Sequence, residues 1–99
     1  MLSSAVKSKL VEKRSALENA GIKRLYAFGS RVKGDCRPES DLDLFIEFDA
    51  ALKVPSLFYL IETEQQLEAE LGFPVHITTR SSLHPRMRIE IESHAERVF

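Results

Sequence analysis

The chain has 99 residues, enough for one domain, residues 1–99, that buries a core without help from disulfides. Its 14 Lys and Arg nearly cancel 15 Asp and Glu, and a formal net charge of -1 argues against general nucleic-acid binding through a basic surface. No apolar run is long enough to span a membrane, and the first residues do not resemble a secretory signal. Cys36 is the only cysteine, so no intramolecular disulfide forms. We therefore expect a cytoplasmic protein with no membrane contact.

The first elements in chain order are a helix and a strand. Apolar residues recur at helical spacing over residues 4–20, where Ser3 or Ser4 can cap the helix and Gly21 can end it. A short strand is predicted for Ile22–Phe28, because β-favouring residues dominate that segment. The helix is amphipathic, which predicts that its apolar stripe packs on the sheet.

A turn and a loop lead to the clearest strand of the chain. Ser30–Gly34 is predicted to form a short helical turn, and residues 35–40 a loop, because Pro38 has polar neighbours there. Side chains then alternate through Asp41–Phe48. One face carries the apolar residues Leu42, Leu44, Ile46 and Phe48, and the other carries Asp41, Asp43, Phe45 and Glu47. Two carboxylates therefore lie on one strand face, roughly 6.5–7 Å apart along the strand.

The second half predicts a helix, a strand and a last helix. Pro55 suits the first turn of a helix that Gly72 ends, and Pro74–Thr79 has the pattern of a strand. Pro85 opens a last helix through about His94, and residues 97–99 can close as a terminal strand. This order of elements predicts an α/β (α+β) fold, in which helices pack on one face of a small mixed sheet.

Gly29-Ser30 and Asp41-Leu42-Asp43 form a constellation suited to one task. A strand that ends in Gly29-Ser30 and turns into a helix offers free backbone N–H groups to phosphate oxygens, without a side chain at Gly29 in the way. Asp41 and Asp43 supply the hard oxygen ligands that Mg²⁺ prefers. Arg31, Lys33 and Arg37 lie in the connecting segment and can screen the charge of a triphosphate. Phosphoryl transfer needs mainly such positioning and charge stabilisation.

The run from Gly29-Ser30-Arg31 through Gly34 to Ser40-Asp41-Leu42-Asp43 resembles the signature of the polymerase β-like nucleotidyltransferase superfamily. It is most similar to the minimal nucleotidyltransferases of prokaryotes, and the resemblance extends from about Ile22 to the C-terminus. It implies ATP or another nucleoside triphosphate as donor, with Mg²⁺ or Mn²⁺ as cofactor. It also implies that Asp41 and Asp43 are metal ligands and that Gly29 and Ser30 lie at the phosphates.

The resemblance also implies a partner. Members commonly pair with a helical HEPN-type protein as a toxin–antitoxin module, in which the small nucleotidyltransferase is the antitoxin. In some systems the antitoxin adenylylates its partner. A homodimer is a further possibility, because a small domain with exposed strand ends can pair through them.

His76 stands where the superfamily usually has a third carboxylate. Alternation in Phe73–Thr78 points it away from the Val75 and Ile77 core face, so it can still reach the site. Imidazole is a poor Mg²⁺ ligand but can act as a general base. Two hypotheses remain open: an active nucleotidyltransferase that uses Asp41, Asp43 and His76, or a catalytically weak module that neutralises a HEPN-type partner by contact.

Overall fold

The computed structural model describes residues 1–99. Its elements are α1 (Ser4–Glu12), α2 (Arg14–Asn19), β1 (Ile22–Phe28), α3 (Ser30–Lys33), β2 (Leu42–Phe48), α4 (Leu57–Leu71), β3 (Val75–Thr79), a 3-10 turn (Arg80–Ser82), α5 (Pro85–His94) and β4 (Glu96–Arg97). None of the helices has both the length and the apolar character that crossing a membrane requires.

The four strands form one mixed sheet in the order β3-β2-β1-β4. β1 and β2 are antiparallel, as are β1 and β4, while β3 runs parallel to β2. A parallel neighbour needs a crossover connection, and α4 supplies it between β2 and β3. The crossover brings the start of β3 beside the start of β2, at the edge where β1 ends.

The core lies between one face of the sheet and helices α1, α2 and α4. Its apolar residues come from both layers: Leu2, Val6, Leu10 and Leu17 from the N-terminal segment, Leu60 and Leu67 from α4, and Leu25, Ala27, Leu42, Leu44, Ile46 and Val75 from the strands. The predicted fold class, a small mixed α/β sheet with helices packed on it, is confirmed, and α1, α2 and α4 share one face as predicted. α5 contributes no buried residue and lies beside the other face, next to Phe28.

Element boundaries differ from the predicted ones in several places, among them β3, which begins at Val75 rather than Pro74, and α3, which ends at Lys33 rather than Gly34. The helix predicted for residues 4–20 is two helices, because the backbone turns at Lys13, where φ is -90° and ψ is 0°. β2 begins one residue later than predicted, and α4 begins at Leu57 after a Ser56 N-cap rather than at Pro55. The terminal strand is Glu96–Arg97, not residues 97–99, although Val98 and Phe99 still hydrogen-bond to Leu25.

Candidate active site

The candidate site lies where β1 ends and where β2 and β3 begin. In the register of the sheet, Asp43 is paired with Phe28 on one side and with His76 on the other. Directly paired residues point to the same face of a sheet. Phe28, Asp43 and His76 therefore share the face opposite the helical core, and Asp41 precedes the first residue of β2 on the same side.

His76 and Asp41 form the closest polar contact of the site. The His76 Nε2 atom lies 3.0 Å from Asp41 Oδ2, and both side chains are about half exposed. An ionised carboxylate only accepts hydrogen bonds, so Nε2–H is the donor and the lone pair of a neutral imidazole lies on Nδ1. The structure thus places the predicted His76 beside the predicted carboxylates.

Asp43 is the more enclosed of the two carboxylates. Burial raises the pKa of the Asp43 carboxyl above its ordinary value, His76 opposes that shift, and the neighbouring Asp41 carboxylate adds to it. Two negative charges close together in a partly desolvated place disfavour ionisation of one of them. The two carboxyl groups therefore concentrate negative charge in this part of the site.

Gly29 adopts a backbone conformation that residues with a side chain rarely take. Its φ is 83° and its ψ is -160°, a backbone conformation that is essentially restricted to glycine. A Cβ on Gly29 would lie 2.7 Å from Asp43 Oδ2, so the backbone passes directly beside the carboxylate. Ser30 opens α3, which is a single turn of four residues. Because α3 is so short, its free backbone N–H groups, and not a helix dipole, can bind an anion.

The donor set at Asp41 and Asp43 fits a divalent cation of the Mg²⁺ type. Carboxylate oxygens are the ligands that Mg²⁺ takes, usually from one or two side chains together with substrate phosphates. A cation would also supply the positive charge that stabilises ionised Asp43. No group of three or more His, Cys, Asp and Glu side chains is arranged to hold a metal, so His76 does not complete a three-ligand cluster.

The three basic residues predicted to screen phosphate charge take different positions around the site. Arg31 donates from Nε to the Ser40 carbonyl and from Nη2 to the Pro38 carbonyl. Lys33 lines a cavity beside Gly29, and Arg37 is exposed in the loop. The assignment of all three residues to the phosphates remains a prediction.

Aromatic residues lie on the same sheet face as the carboxylates; strand alternation placed Phe45 there, but its stacking with Tyr26 and Phe28 was not predicted. Phe45 is only 2% exposed although it lies on the same strand face as Asp43. It stacks on Tyr26 with 4.8 Å between ring centroids and contacts Phe28 at 5.7 Å. Tyr26 and Phe28 alternate along β1, and that spacing could have identified them once the pairing with β2 was known.

A cavity of about 210 Å³ adjoins the Gly29 turn on the side away from β3. Its apolar walls are Phe28 and the α5 residues Met87 and Ile91, and Glu90, Lys33 and His94 supply its polar groups. The polar site therefore continues into a partly apolar recess between α5 and the end of β1.

Comparison with known proteins gives consistent matches. The family model described as the nucleotidyltransferase domain matches residues 7–98. Protein adenylyltransferase MntA of Thermococcus cleftensis is 38% identical over 71 residues, which cover 72% of this chain and 69% of that protein. A solved structure provisionally described as a minimal nucleotidyltransferase superposes with a TM-score of 0.77 at 28% identity, over 97% of this chain and 95% of the other.

A solved complex shares the fold at much lower sequence identity. It is described as the tri-AMPylated HEPN toxin of Shewanella oneidensis in complex with an MNT antitoxin. One of its chains superposes with a TM-score of 0.66 at 14% identity, over 96% of this chain and 70% of the other. At that identity the likeness concerns the fold alone.

Proposed function

Because the chain belongs to the nucleotidyltransferase domain family, we propose that it transfers AMP from ATP to a hydroxyl group of a HEPN-type partner protein. The observation that carries the proposal is the convergence of Asp41, Asp43 and His76 beside the Gly29 turn. In such a transfer the acceptor oxygen forms a bond to the α-phosphorus, the bond to the β-phosphate bridging oxygen breaks, and pyrophosphate leaves.

Different residues of the chain carry out different parts of this transfer. The N–H groups of the turn at Gly29 and Ser30 bind phosphate oxygens, since Gly29 leaves the approach open. His76 is held by Asp41 with Nδ1 free, so it can take the proton that the acceptor hydroxyl loses. Lys33, at the edge of the same turn, adds positive charge near the phosphates.

Asp41 and Asp43 would hold Mg²⁺ or Mn²⁺. When bound, such an ion neutralises phosphate charge and stabilises the charge that develops in the transition state. The raised pKa of Asp43 means that this carboxyl ionises less readily than an ordinary aspartate in the free protein. Metal-dependent binding of ATP is therefore expected to weaken as the pH falls, and to do so above the pH at which an ordinary aspartate protonates.

A HEPN-type partner is proposed from the relatives. The relative from Thermococcus cleftensis is named a protein adenylyltransferase, and the Shewanella oneidensis complex pairs an AMPylated HEPN toxin with an MNT antitoxin. Those statements concern these proteins, and the shared family and fold make the same acceptor class the first choice here. A homodimer remains a separate prediction.

The second candidate function is neutralisation of the partner by contact alone. It is favoured by the prediction that His76 takes the place of a third carboxylate, and by the side chains of the site, which form no group of three metal ligands. If contact suffices, Asp41→Asn and Asp43→Asn should neutralise a HEPN-type toxin in cells as well as the natural chain does. If transfer is required, both variants lose neutralisation while still binding the toxin in pull-down.

Calorimetric titration of ATP with Mg²⁺, and then with Mn²⁺, tests the nucleotide site itself. We expect metal-dependent binding by the natural chain and its loss in Asp43→Asn. His76→Asp measured in parallel restores the third carboxylate. Binding that occurs only in His76→Asp would mean that the natural chain no longer uses a nucleotide, and would favour the contact mechanism.

A further inference from the structure

Arg31 is placed differently from the other basic residues near the site. Its Nε donates to the Ser40 carbonyl at 2.9 Å, and its Nη2 donates to the Pro38 carbonyl at 3.0 Å. Its guanidinium carbon lies 3.5 Å from the centroid of the Phe73 ring. Two hydrogen bonds and a stacked aromatic ring thus fix this side chain, which is only partly exposed.

These contacts join the three segments that carry the site. Arg31 lies on α3, two residues after Gly29. Ser40 directly precedes Asp41, and Phe73 precedes Pro74 and β3, on which His76 lies. The loop from Asp35 to Ser40 contains no helix or strand, and the hydrogen bonds between Arg37 and Ser40 lie within the loop itself, so they do not tie it to α3.

We propose that Arg31, stacked on Phe73, is a positioning residue that sets Asp41 against the Gly29 turn and His76, rather than a ligand of the phosphates. The effect of Arg31 on transfer rests on the proposed function, whereas its effect on the position of Asp41 does not. With this side chain in place, the carbonyls of Pro38 and Ser40 are held to α3. Asp41 is then presented in one orientation instead of moving with the loop.

The guanidinium group is required because of its shape. Its planar fork donates two hydrogen bonds in one plane while its face stacks on an aromatic ring, whereas the lysine ammonium is a compact point charge. Arg31→Lys therefore keeps the charge that a phosphate would sense and loses the positioning. A phosphate ligand predicts the reverse result, because lysine also binds phosphates well.

The test compares Arg31→Lys, Arg31→Gln and Phe73→Leu with a matched control. Arg14 lies 5.5 Å over the Phe99 ring, away from the site, so Arg14→Lys removes a similar stacked arginine with no expected effect. We expect all three site variants to lower the transfer rate at saturating ATP about 10- to 100-fold, the range typical of misplaced catalytic groups. The KM for ATP should change little, and the Arg31→Lys/Phe73→Leu double variant should be no worse than Arg31→Lys alone.

Two readouts need no enzymatic activity. In ¹⁵N–¹H spectra of the free protein, the Arg31 Nε–H should exchange slowly with solvent and be shifted by the Phe73 ring, unlike that of Arg37. Arg31→Lys and Phe73→Leu should both move the Ser40 and Asp41 amide signals. Mn²⁺ titration followed by paramagnetic broadening should show about tenfold weaker binding in Arg31→Lys, although its charge is unchanged.

The outcomes separate the positioning role from the proposed function. An Arg31 Nε–H that exchanges as fast as that of Arg37, or Arg31→Lys with unchanged Mn²⁺ affinity and transfer, would overturn the positioning role. A rise in the KM for ATP that occurs only in Arg31→Gln would show instead that Arg31 binds the phosphates. Loss of transfer by the natural chain, with the spectral and Mn²⁺ results as expected, would overturn the proposed function and leave the positioning of Asp41 intact.

Discussion

At the scale of single residues, the Asp43 carboxylate favours cation binding but lowers the stability of the folded chain. Its raised pKa means that the folded chain holds the ionised carboxyl less favourably than the unfolded chain does. A carboxyl whose pKa is raised in the folded state lowers the free energy of unfolding at neutral pH. This cost disappears as the pH falls through the folded-state pKa. The negative charge that suits the site for a cation therefore destabilises the metal-free protein.

Asp43→Asn should accordingly raise the melting temperature of the metal-free protein at neutral pH while abolishing metal-dependent ATP binding. The gain should shrink as the pH is lowered towards the pKa of Asp43, because the natural carboxyl then becomes neutral too. Thermal melts between pH 4 and about 7 measure this, with Asp35→Asn in the exposed loop as control. A variant that is less stable than the natural chain at neutral pH would contradict the account of Asp43.

Gly29 is needed both for its backbone conformation and for the space beside Asp43. Gly29→Ala should destabilise the chain by about 1–3 kcal/mol, because the backbone is strained and its Cβ would meet the carboxylate. It should also abolish ATP binding. Gly34 is the matched control: its φ of 86° is similar, but no atom lies within 4 Å of its would-be Cβ.

Gly34→Ala should cost about 1–2 kcal/mol, the penalty for a left-handed backbone with a side chain, and leave ATP binding unchanged. Urea denaturation and calorimetry separate the two effects. If both variants lose ATP binding equally, backbone strain in the turn is enough to abolish binding. The close approach of Gly29 to Asp43 would then add nothing to the effect.

The residues of the site were predictable to different degrees. Gly29, Asp41 and Asp43 stand at a recognisable spacing, and strand alternation was enough to direct His76 towards them. The prediction that Arg31 lies at the phosphates rests on its charge, because the sequence does not show its contact with the distant Phe73. The burial of Phe45 depends on cross-strand stacking with Tyr26, which only the register reveals.

At the scale of elements, α4 covers the open edge of the sheet. Glu68 Oε1 accepts from the Val75 N–H at 3.0 Å, and Glu64 Oε2 accepts from the Ile77 N–H at 2.7 Å. Unpaired N–H groups on an edge strand are a template for pairing with another chain. The two glutamates thus satisfy the outer edge of β3 and hold the strand that carries His76.

Replacing Glu64 and Glu68 together by Ala should destabilise the chain by about 2 kcal/mol, since each lost hydrogen bond to a charged acceptor is worth roughly 1 kcal/mol or more. Hydrogen exchange at Val75 and Ile77 should accelerate more than exchange in β1. Glu62→Ala, which removes an exposed glutamate of the same helix, serves as control. Unchanged exchange in β3 would mean that the glutamates do not protect its edge.

Arg80 links three elements on the site side of the sheet. It donates to Glu92 of α5 and, at 2.8 Å, to Glu47 of β2. The hydrogen bond and the charge of Arg80 hold the pKa of Glu92 below its ordinary value. A depressed carboxyl pKa contributes stability above the unfolded-state pKa, and this contribution is lost as the pH falls through the folded-state value.

Glu92→Gln should therefore lower the melting temperature at neutral pH, and the difference from the natural chain should vanish under acidic conditions. The effect is small because the pair is exposed. Glu90→Gln, on the same helix but without an ion pair, should show neither change. A difference between Glu92→Gln and the natural chain that persists at acid pH would show that the side chain acts by packing instead.

Element types were predictable, while several boundaries were not. Gly72 and Pro85 mark the end of α4 and the start of α5, and both helices end or begin where expected. The break at Lys13 carries no glycine or proline, so the local sequence gives no signal for it. The 3-10 turn at Arg80–Ser82 was not predicted either, and its Arg80 contacts residues far away in sequence, Glu47 and Glu92.

At the scale of the whole molecule, the sheet order brings together residues far apart in sequence. The parallel crossover through α4 places His76 beside Asp43, 33 positions earlier in the chain, and the hairpin-like pairing of β1 with β2 places Gly29 there too. The fold class was predictable from the order of helices and strands. The acceptor was not, because nothing within a single chain records the surface that it meets.

The most direct test of the account is transfer itself. The chain is incubated with its HEPN-type partner, ATP and Mg²⁺ or Mn²⁺, and the partner is then analysed by intact mass spectrometry beside reactions with Asp43→Asn and His76→Asp. We predict a partner heavier by whole AMP units with the natural chain and unmodified with Asp43→Asn. An unmodified partner under both metals, although the chain still neutralises it, would contradict the transfer claim and leave a contact mechanism.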